Sequence, residues 1–562
     1  MSAKLLEHFD LLATAPDGVA RLRELILTLA VQGKLVLQDP NDEPASVLLQ
    51  RIRGEKDRLI AEGKIKRDKP LLPITDEEKP FALPKEWAWV RLGDVTNYGS
   101  PSKAQELKPE TWVLDMEDIE KSSGRLLQRL RFAQRPALSE KNSFSAGDVL
   151  YGKLRPYLNK VLVADEDGVC TTEIIPFRCY GGYVPQYFRL VLGSPFFLEY
   201  VNARSYGMKM PRLGTEDARK SVIPLPALSE QSRIVSSVEE LMRLCDALEA
   251  KRQLDSTQHA QLLHTLLGTL TDSATPEELS ANWQRVATHF DLLLDRPEAV
   301  DALEQTILQL AVRGLLVPQD PNDEPASVLL QRVAESAAAH SKKGLKANTD
   351  SYEATPPYEL PAGWDWCQLG NIVENMGSGW SPACDEGERS DPTKWAVLRT
   401  TAVQVNEYRA REHKILPSKL SPRPEIEVKD GDILITRAGP MNRVGISCWV
   451  NSTPPRLMLS DKIVRFHSVG DEMLPAFIVL TLNAGWTKSQ IEAAKTGMAA
   501  SQVNISQTDL RGLWLPVCSK AEQSRIVARV EELRQLCTDL RQRLTASRTT
   551  QGHLAEALVE CV

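Results

Sequence analysis

No stretch of the 562-residue sequence approaches 18 consecutive apolar residues, so no membrane-spanning helix is expected. Nine cysteines are scattered without one C-x-x-C pair, which argues against a zinc ribbon and against a disulfide framework. A reducing compartment follows. The opening residues, MSAKLLEHFD, interrupt their apolar positions with charge at once, unlike a secretory leader, and the expected location is the cytoplasm. Positive charge is not in excess either: 68 Lys and Arg face 75 Asp and Glu, a net charge of −7 with an isoelectric point near 5.8. Binding of polyanions through bulk charge is thereby excluded, and any nucleic-acid surface must be local or completed by partners. Aromatics are sparse at 6%, but 42% hydrophobic and 25% charged residues make an ordinary globular composition. At about 100 to 200 residues per domain, the length predicts three to five structural units.

Catalytic signatures are missing as well. There is no G-x-x-x-x-G-K-[ST] phosphate loop; Gln32-Gly33-Lys34-Leu35 lacks both the earlier glycine and the hydroxyl, which argues against direct ATP chemistry. Amino-methyltransferases hold the target amine with Asn or Asp ahead of Pro-Pro-Tyr/Phe. The nearest string, Thr355-Pro356-Pro357-Tyr358, has Thr in place of that residue and lies in a linker-like segment. Glu427-Val428-Lys429 matches the E-x-K of a nuclease metal site, but no acid pairs with it and Asp430-Gly431 marks a turn, so solvated turn charges are the expectation. His259 and His264 are five apart, off the i, i+4 face that shared zinc ligation needs, and are expected at the surface. No metal site and no nucleophile with its base is expected.

What the sequence does have is a long internal repeat. QDPNDEPASVLLQR occupies Gln38–Arg51 and again Gln319–Arg332, an offset of 281, and twice 281 is the chain length. The same offset pairs His8-Phe9-Asp10-Leu11-Leu12 with His289-Phe290-Asp291-Leu292-Leu293, and Leu29-Ala30-Val31-Gln32-Gly33 with Leu310-Ala311-Val312-Arg313-Gly314. Leu83-Pro84 with Trp87 and Trp89 recurs as Leu360-Pro361 with Trp364 and Trp366, and Glu230–Val235 (EQSRIV) recurs as Glu522–Val527. Residues 84–226 and 361–516, between these flanks, share only a skeleton such as Gly147-Asp148-Val149-Leu150 against Gly431-Asp432-Ile433-Leu434. Each half is thus an arm, a variable domain and a closing segment. Flanks kept alike suggest one partner contacted twice in the same way, and divergent centres suggest two different ligands.

Periodicity predicts the elements. Asp17 is placed to cap a helix carrying Val19, Leu22, Leu25, Ile26 and Leu29, which Gly33 ends; Ser46 opens a short helix after the turn at residues 39–44. Residues 54–80 and 335–358 read as exposed linkers. Short β-type runs (Val149-Leu150-Tyr151, Lys160–Val163, Ile433-Leu434-Ile435, Lys462-Ile463-Val464) make each variable domain a mixed α/β domain. In the closing segments, apolar residues at 526, 530, 533, 537, 540, 544, 554 and 558 mostly follow the alternating four-three spacing of a coiled-coil seam. Ile234, Val238, Leu241, Cys245 and Leu248 start an equivalent one. Two such helices can bury their stripes against each other.

DNA-facing features are local. Residues 84–226 hold 20 Lys and Arg against 17 Asp and Glu, and residues 361–516 hold 17 of each, both less acidic than the chain as a whole. Lys153-Leu154-Arg155-Pro156-Tyr157-Leu158-Asn159-Lys160 follows a strand and mixes phosphate-binding cations with an aromatic and base-edge donors. Arg437, Asn442 and Arg443 hold the corresponding place in the second half. Lys209-Met210-Pro211-Arg212 and Lys495, Gln502 and Asn504 form a second pair of candidates ahead of each closing helix.

The arm RLRELILTLAVQGKLVLQDPNDEPASVLLQRI, the Leu-Pro-x-x-Trp-x-Trp that begins each variable domain, and the Leu-Pro followed by Glu-Gln-Ser-Arg-Ile-Val resemble the specificity subunit of type I restriction-modification systems. The resemblance covers both halves and fades inside the variable domains. It implies an α/β (α+β) fold with two target recognition domains in pseudo-two-fold tandem repeat, separated by two long antiparallel coiled-coil helices. The expected divisions are a helical arm at 1–80, a first recognition domain at 81–226, a long helix at 227–275, a second arm at 276–358, a second recognition domain at 359–517 and a C-terminal long helix at 518–562. It further implies that each domain reads one part of a bipartite, non-palindromic site on double-stranded DNA, that the helices set the gap between the parts, and that two modification subunits dock on the flanks. No cofactor is then expected in this chain: S-adenosylmethionine belongs to the modification subunit, and ATP and magnesium to the restriction subunit. Two other readings remain at this point: an autonomous methyltransferase or nuclease with an unrecognised site, separated by a methylation assay on the chain alone, and a coiled-coil scaffold binding only proteins, separated by a DNA shift assay.

Overall fold

The computed structural model describes residues 9–65, 67, 70–100, 102–103, 107–135, 141–273, 275–340, 356–389 and 391–560. The opening residues with His8, the middle of the second linker with Thr355, and Cys561 lie outside the described residues. The chain forms two compact units, residues 1–255 with 547–562 and residues 256–546.

In the first unit, helix α1 (Gly18–Val31) buries Val19, Leu22, Leu25, Ile26 and Leu29, as the spacing demands. Asp17 sits at its N-cap position but in the left-handed region (φ 57°) and its side chain makes no capping bond, so the expected cap is not formed. Gly33 ends the helix at φ +70°, and a Cβ there would meet Pro84 and Trp87, so glycine is required both by conformation and by close approach. Helix α2 (Ala45–Ala61) is 17 residues long, follows Pro44, and takes in the first part of the expected linker because Leu48 and Ile52 bury against the domain. The rest of that linker is not simply exposed chain. Buried Arg91 donates to the carbonyls of Leu72 and Pro73 and to the Glu78 carboxylate, pinning it to the domain.

The variable domain that follows opens with strand Ala88–Arg91, which pairs antiparallel with the last strand, Val222–Leu225. Between them lie a three-stranded sheet with Val149–Gly152 flanked by Val161–Val163 and Ile174–Phe177, and a five-stranded sheet in which Trp112–Leu114 runs parallel to Gly168–Thr171. Helix α3 (Leu228–Asp272) leaves the domain, and its residues Ile234, Val238 and Cys245 are buried in one core with Ala555.

The second unit repeats this plan. Helix α4 (Pro297–Val312) matches α1, and helix α5 (Ala326–His340) matches α2, again running into the expected linker. Strand Asp365–Gln368 pairs antiparallel with Trp514–Val517. Ile433–Thr436 is flanked by Ser447–Trp449 and Ile463–Ser468, and Ala396–Leu398 runs parallel to Leu457–Met458. The two variable domains therefore share these central strand pairings although their sequences share only a skeleton, while their sheets differ in size, five and three strands in the first and four and three in the second. Helix α6 (Lys520–Glu560) closes the chain.

The seam is built in both units. In the second, Leu263, Leu267 and Leu270 of α3 share a core with Leu533, Cys537, Leu540 and Leu544 of α6; in the first, the beginning of α3 packs with the last turns of α6. Early turns of one helix thus meet late turns of the other, the antiparallel pairing the two stripes call for. Leu554 departs from the expected seam: it is exposed and Ala555 is buried in its place, next to Glu556, which Arg21 of α1 reaches at 3.5 Å. His259 is likewise not a free surface residue; its Nε2 lies 3.1 Å from the Leu292 carbonyl and 3.4 Å from Asp295. No helix among the described residues is long and apolar enough to cross a membrane.

Candidate nucleic-acid interface

Much of what the two halves share is an internal clip. Gln38 Nε2 and Trp87 Nε1 donate to the two oxygens of Glu230 at 2.6 and 2.9 Å, and Gln319 and Trp364 do the same to Glu522 at 2.6 and 3.0 Å. Burial pushes both glutamates up, an effect the four donors partly offset. Arg233 grips Asp42 at 2.6 Å and Arg525 grips Asp323 at 2.6 Å, holding both aspartates below the usual carboxylate range. Gln231 and Gln523 accept from the backbone N–H of Val184 and Leu474. The repeated residues therefore tie arm, domain and closing helix together in each unit, and repetition in these positions has an internal cause before any partner is invoked.

Above the clip, each domain carries a pair of joined loops. In the first, Leu154 and Arg212 bridge, Arg155 N donates to the Pro211 carbonyl at 2.7 Å, and Leu213 N donates to the Lys153 carbonyl at 3.1 Å. In the second, Ala438 pairs with Asn504 and Ile505 N donates to the Arg437 carbonyl at 2.9 Å. Lys153 and Arg437 are thus at one structural position. The two sequence segments singled out separately in each half form one surface in each domain.

Within that surface the candidates divide. The side chains of Lys153, Lys209, Arg437, Asn442, Gln502 and Asn504 have no hydrogen bond or ion pair among the described residues, and Tyr157 is 49% exposed. Arg155 stands at φ 47° with its Nε buried and without an acceptor, and Arg437 Nε is in the same condition. Such unused buried donors are rare and call for an explanation. The remaining candidates are engaged internally. Asn159 Nδ2 donates to the Gly193 carbonyl at 2.9 Å and Lys160 Nζ to the Met116 carbonyl at 2.6 Å, where burial lowers the lysine's proton affinity. Arg212 forms a fork on Glu173, Arg443 donates to Gln404 and to the carbonyls of Thr400 and Val403, and Lys495 binds Glu492 and the Met441 carbonyl. These side chains shape the loops. Sequence reasoning missed Tyr206 and Met208, which stand exposed at the tip of the first surface; Gly207 between them was the available signal.

The other strings singled out fall on structural turns. Asp432, not Glu427, is the buried acid near residues 427–429; its carboxylate accepts from Lys429 N and lies 2.6 Å from His467 Nε2. No cluster of potential metal ligands occurs among the described residues. His264 is exposed.

No protein-family model matches the chain. The Type I restriction enzyme EcoEI specificity subunit of Escherichia coli is 43% identical over 97% of this chain and 93% of its own length. The Type I restriction enzyme EcoAI specificity subunit of the same organism is 35% identical over the same shares. Among solved structures, a chain from work on complex assembly and conformational transition of the type I R-M system aligns with a TM-score of 0.52 at 19% identity, covering 86% of this chain and 98% of that one, which supports the shared fold. With this identity along nearly its whole length, the chain belongs to the family of type I restriction enzyme specificity subunits.

Proposed function

We propose that this chain is the non-catalytic, sequence-specific DNA-binding subunit of a type I restriction-modification complex, and that each variable domain reads one part of a bipartite, non-palindromic site. The observation that carries the reading is the duplicated loop pair, with Lys153 on one domain and Arg437 in the equivalent place on the other, neither side chain taken up by an internal acceptor among the described residues. Phosphates and base edges supply such acceptors, and divergent loops on a shared frame give two different half-sites. Methyl transfer and cleavage belong to partners: two modification subunits carrying S-adenosylmethionine, and restriction subunits using ATP and magnesium. The complex acts in the cytoplasm, where it would serve defence against phage. The acidic total of this chain fits a DNA channel completed by neighbouring subunits.

The test is reconstitution. With its modification subunit, the chain should methylate a bipartite site in cellular DNA, mapped by sequencing of modified bases. Alone, it should bind no S-adenosylmethionine and transfer no methyl group; turnover by the purified chain would overturn the assignment and restore the autonomous-enzyme reading.

A further inference from the structure

The tip of the first loop pair is apolar where a solvent-facing turn would be polar. Tyr206 N donates to the Arg212 carbonyl at 3.1 Å and Arg212 N to the Tyr206 carbonyl at 2.9 Å, closing a hairpin whose five tip residues run from Gly207 (φ +103°) to Pro211. Its base is fixed: Pro211 is held by Arg155 N, Leu213 by the Lys153 carbonyl, and Arg212 by Glu173. On this anchored turn Met208 is fully exposed, Tyr206 is 62% exposed and Met210 49%, and Tyr157 on the joined loop is exposed as well. The equivalent hairpin of the second domain, Thr496–Ala499 with Gln502–Asn504, carries Gly497-Met498 in its sequence and turns through Ala500 and Ser501, with Met441, 44% exposed, bonded through its N–H to the Ala500 carbonyl.

We propose that Met208 is a specificity-determining contact of the first half-site, packing against the C5-methyl group of a thymine in the major groove. The occupant follows from charge and chemistry together. Lys209 stands on the tip and Lys153 and Arg155 at its base, while Glu173 in the loop pair is neutralised by Arg212, so the surface suits a polyanion rather than an apolar peptide or membrane core. On a polyanion that is double-stranded DNA, the apolar group offered on a base edge in the major groove is the thymine methyl. A thioether is unbranched and adaptable, which suits contact with a single methyl group. This inference rests on the DNA-reading function proposed above.

The experiment uses the full chain with its modification subunit on duplexes carrying the mapped site. Each thymine of the first half-site is replaced in turn by deoxyuridine, which lacks only the methyl group. At one position the wild-type complex should lose about 3- to 10-fold in affinity, and the M208A complex, already weaker on thymine, should not distinguish thymine from deoxyuridine there. Binding at the second half-site should be unchanged. If M208A and wild type respond identically at every thymine, or if 2-aminopurine placed in the half-site brightens through unstacking by Met208 instead, the thymine contact is overturned. Failure of the wild-type complex to bind any bipartite site would overturn the DNA-reading function itself, a separate outcome. Melting of M208A within a degree or so of wild type, expected for a fully exposed side chain, keeps folding out of the comparison.

Discussion

Cations of similar sequence context divide by their hydrogen bonds. Lys153 and Arg443 both follow a buried strand, yet Lys153 has no acceptor while the Arg443 guanidinium satisfies two backbone carbonyls and Gln404. Lys153→Ala should leave the melting temperature unchanged and weaken DNA binding alike for all sequences if it meets a phosphate, reducing the salt slope by about one. Arg443→Ala should behave oppositely, destabilising the second domain by about 1 to 3 kcal/mol because three acceptors lose a charged donor. Thermal unfolding and salt-dependent binding of the two variants check both. The same division applies to Arg212 and Lys495, whose ion pairs hold loops rather than reach outward.

At the level of elements, the clip explains why so many repeated residues are polar yet buried. Glu230→Ala would strand Trp87 Nε1 and Gln38, and Glu522→Ala would strand Trp364 and Gln319; each should cost about 1 to 3 kcal/mol, measurable in urea unfolding. The Asp42–Arg233 and Asp323–Arg525 pairs carry a pH dependence of known sign. Both aspartates are held below their ordinary value, near 3.9 in the unfolded chain, so their contribution is present above about pH 4 and is lost as pH falls through the lowered folded values. Glu230 and Glu522 work the other way: their raised folded values favour the protonated form, so their contribution is present below about pH 4 and declines as pH rises through those values. The double variant D42N/D323N should flatten the acid limb of the stability profile below about pH 4, as read by unfolding at each pH. An acid limb as steep as that of wild type would show that these pairs do not set it.

For the whole molecule, the long helices carry the question of spacing. Helix α3 has 45 residues and α6 has 41, and a helix rises about 1.5 Å per residue, so a change in helix length is expected to appear in the unread spacer. Four residues inserted between Asp272 and Ser273 add about 6 Å and should lengthen the unread spacer by about one or two base pairs, leaving both half-sites unchanged. Mapping of methylated bases reads this directly; an unchanged spacer would show that the connector does not set the distance. The insertion also disturbs a local lock, since Ser273 Oγ donates to the Thr269 carbonyl and buried Asn282 reaches both, so some loss of melting temperature should accompany it.

Tandem organisation, mixed α/β centres and paired long helices were legible in the sequence because repeats and apolar periodicity are properties of the chain in one dimension. The seam positions Ile234, Val238 and Cys245 lie where spacing put them. Local chemistry was less legible. Asp17 looks like a helix cap but adopts a left-handed backbone, and residues 54–61 look like linker but form helix because Leu48 and Ile52 seat that helix on the domain. The loop surfaces were half visible: the sequence marks basic segments 153–160 and 209–212, but not that Leu154 and Arg212 join them, nor that Arg212, Arg443 and Lys495 are committed to internal acceptors. Periodicity fixes which face of an element is apolar, whereas whether a cation is free depends on carbonyls and carboxylates brought up from 30 to 60 residues away, and only the folded chain sets those distances.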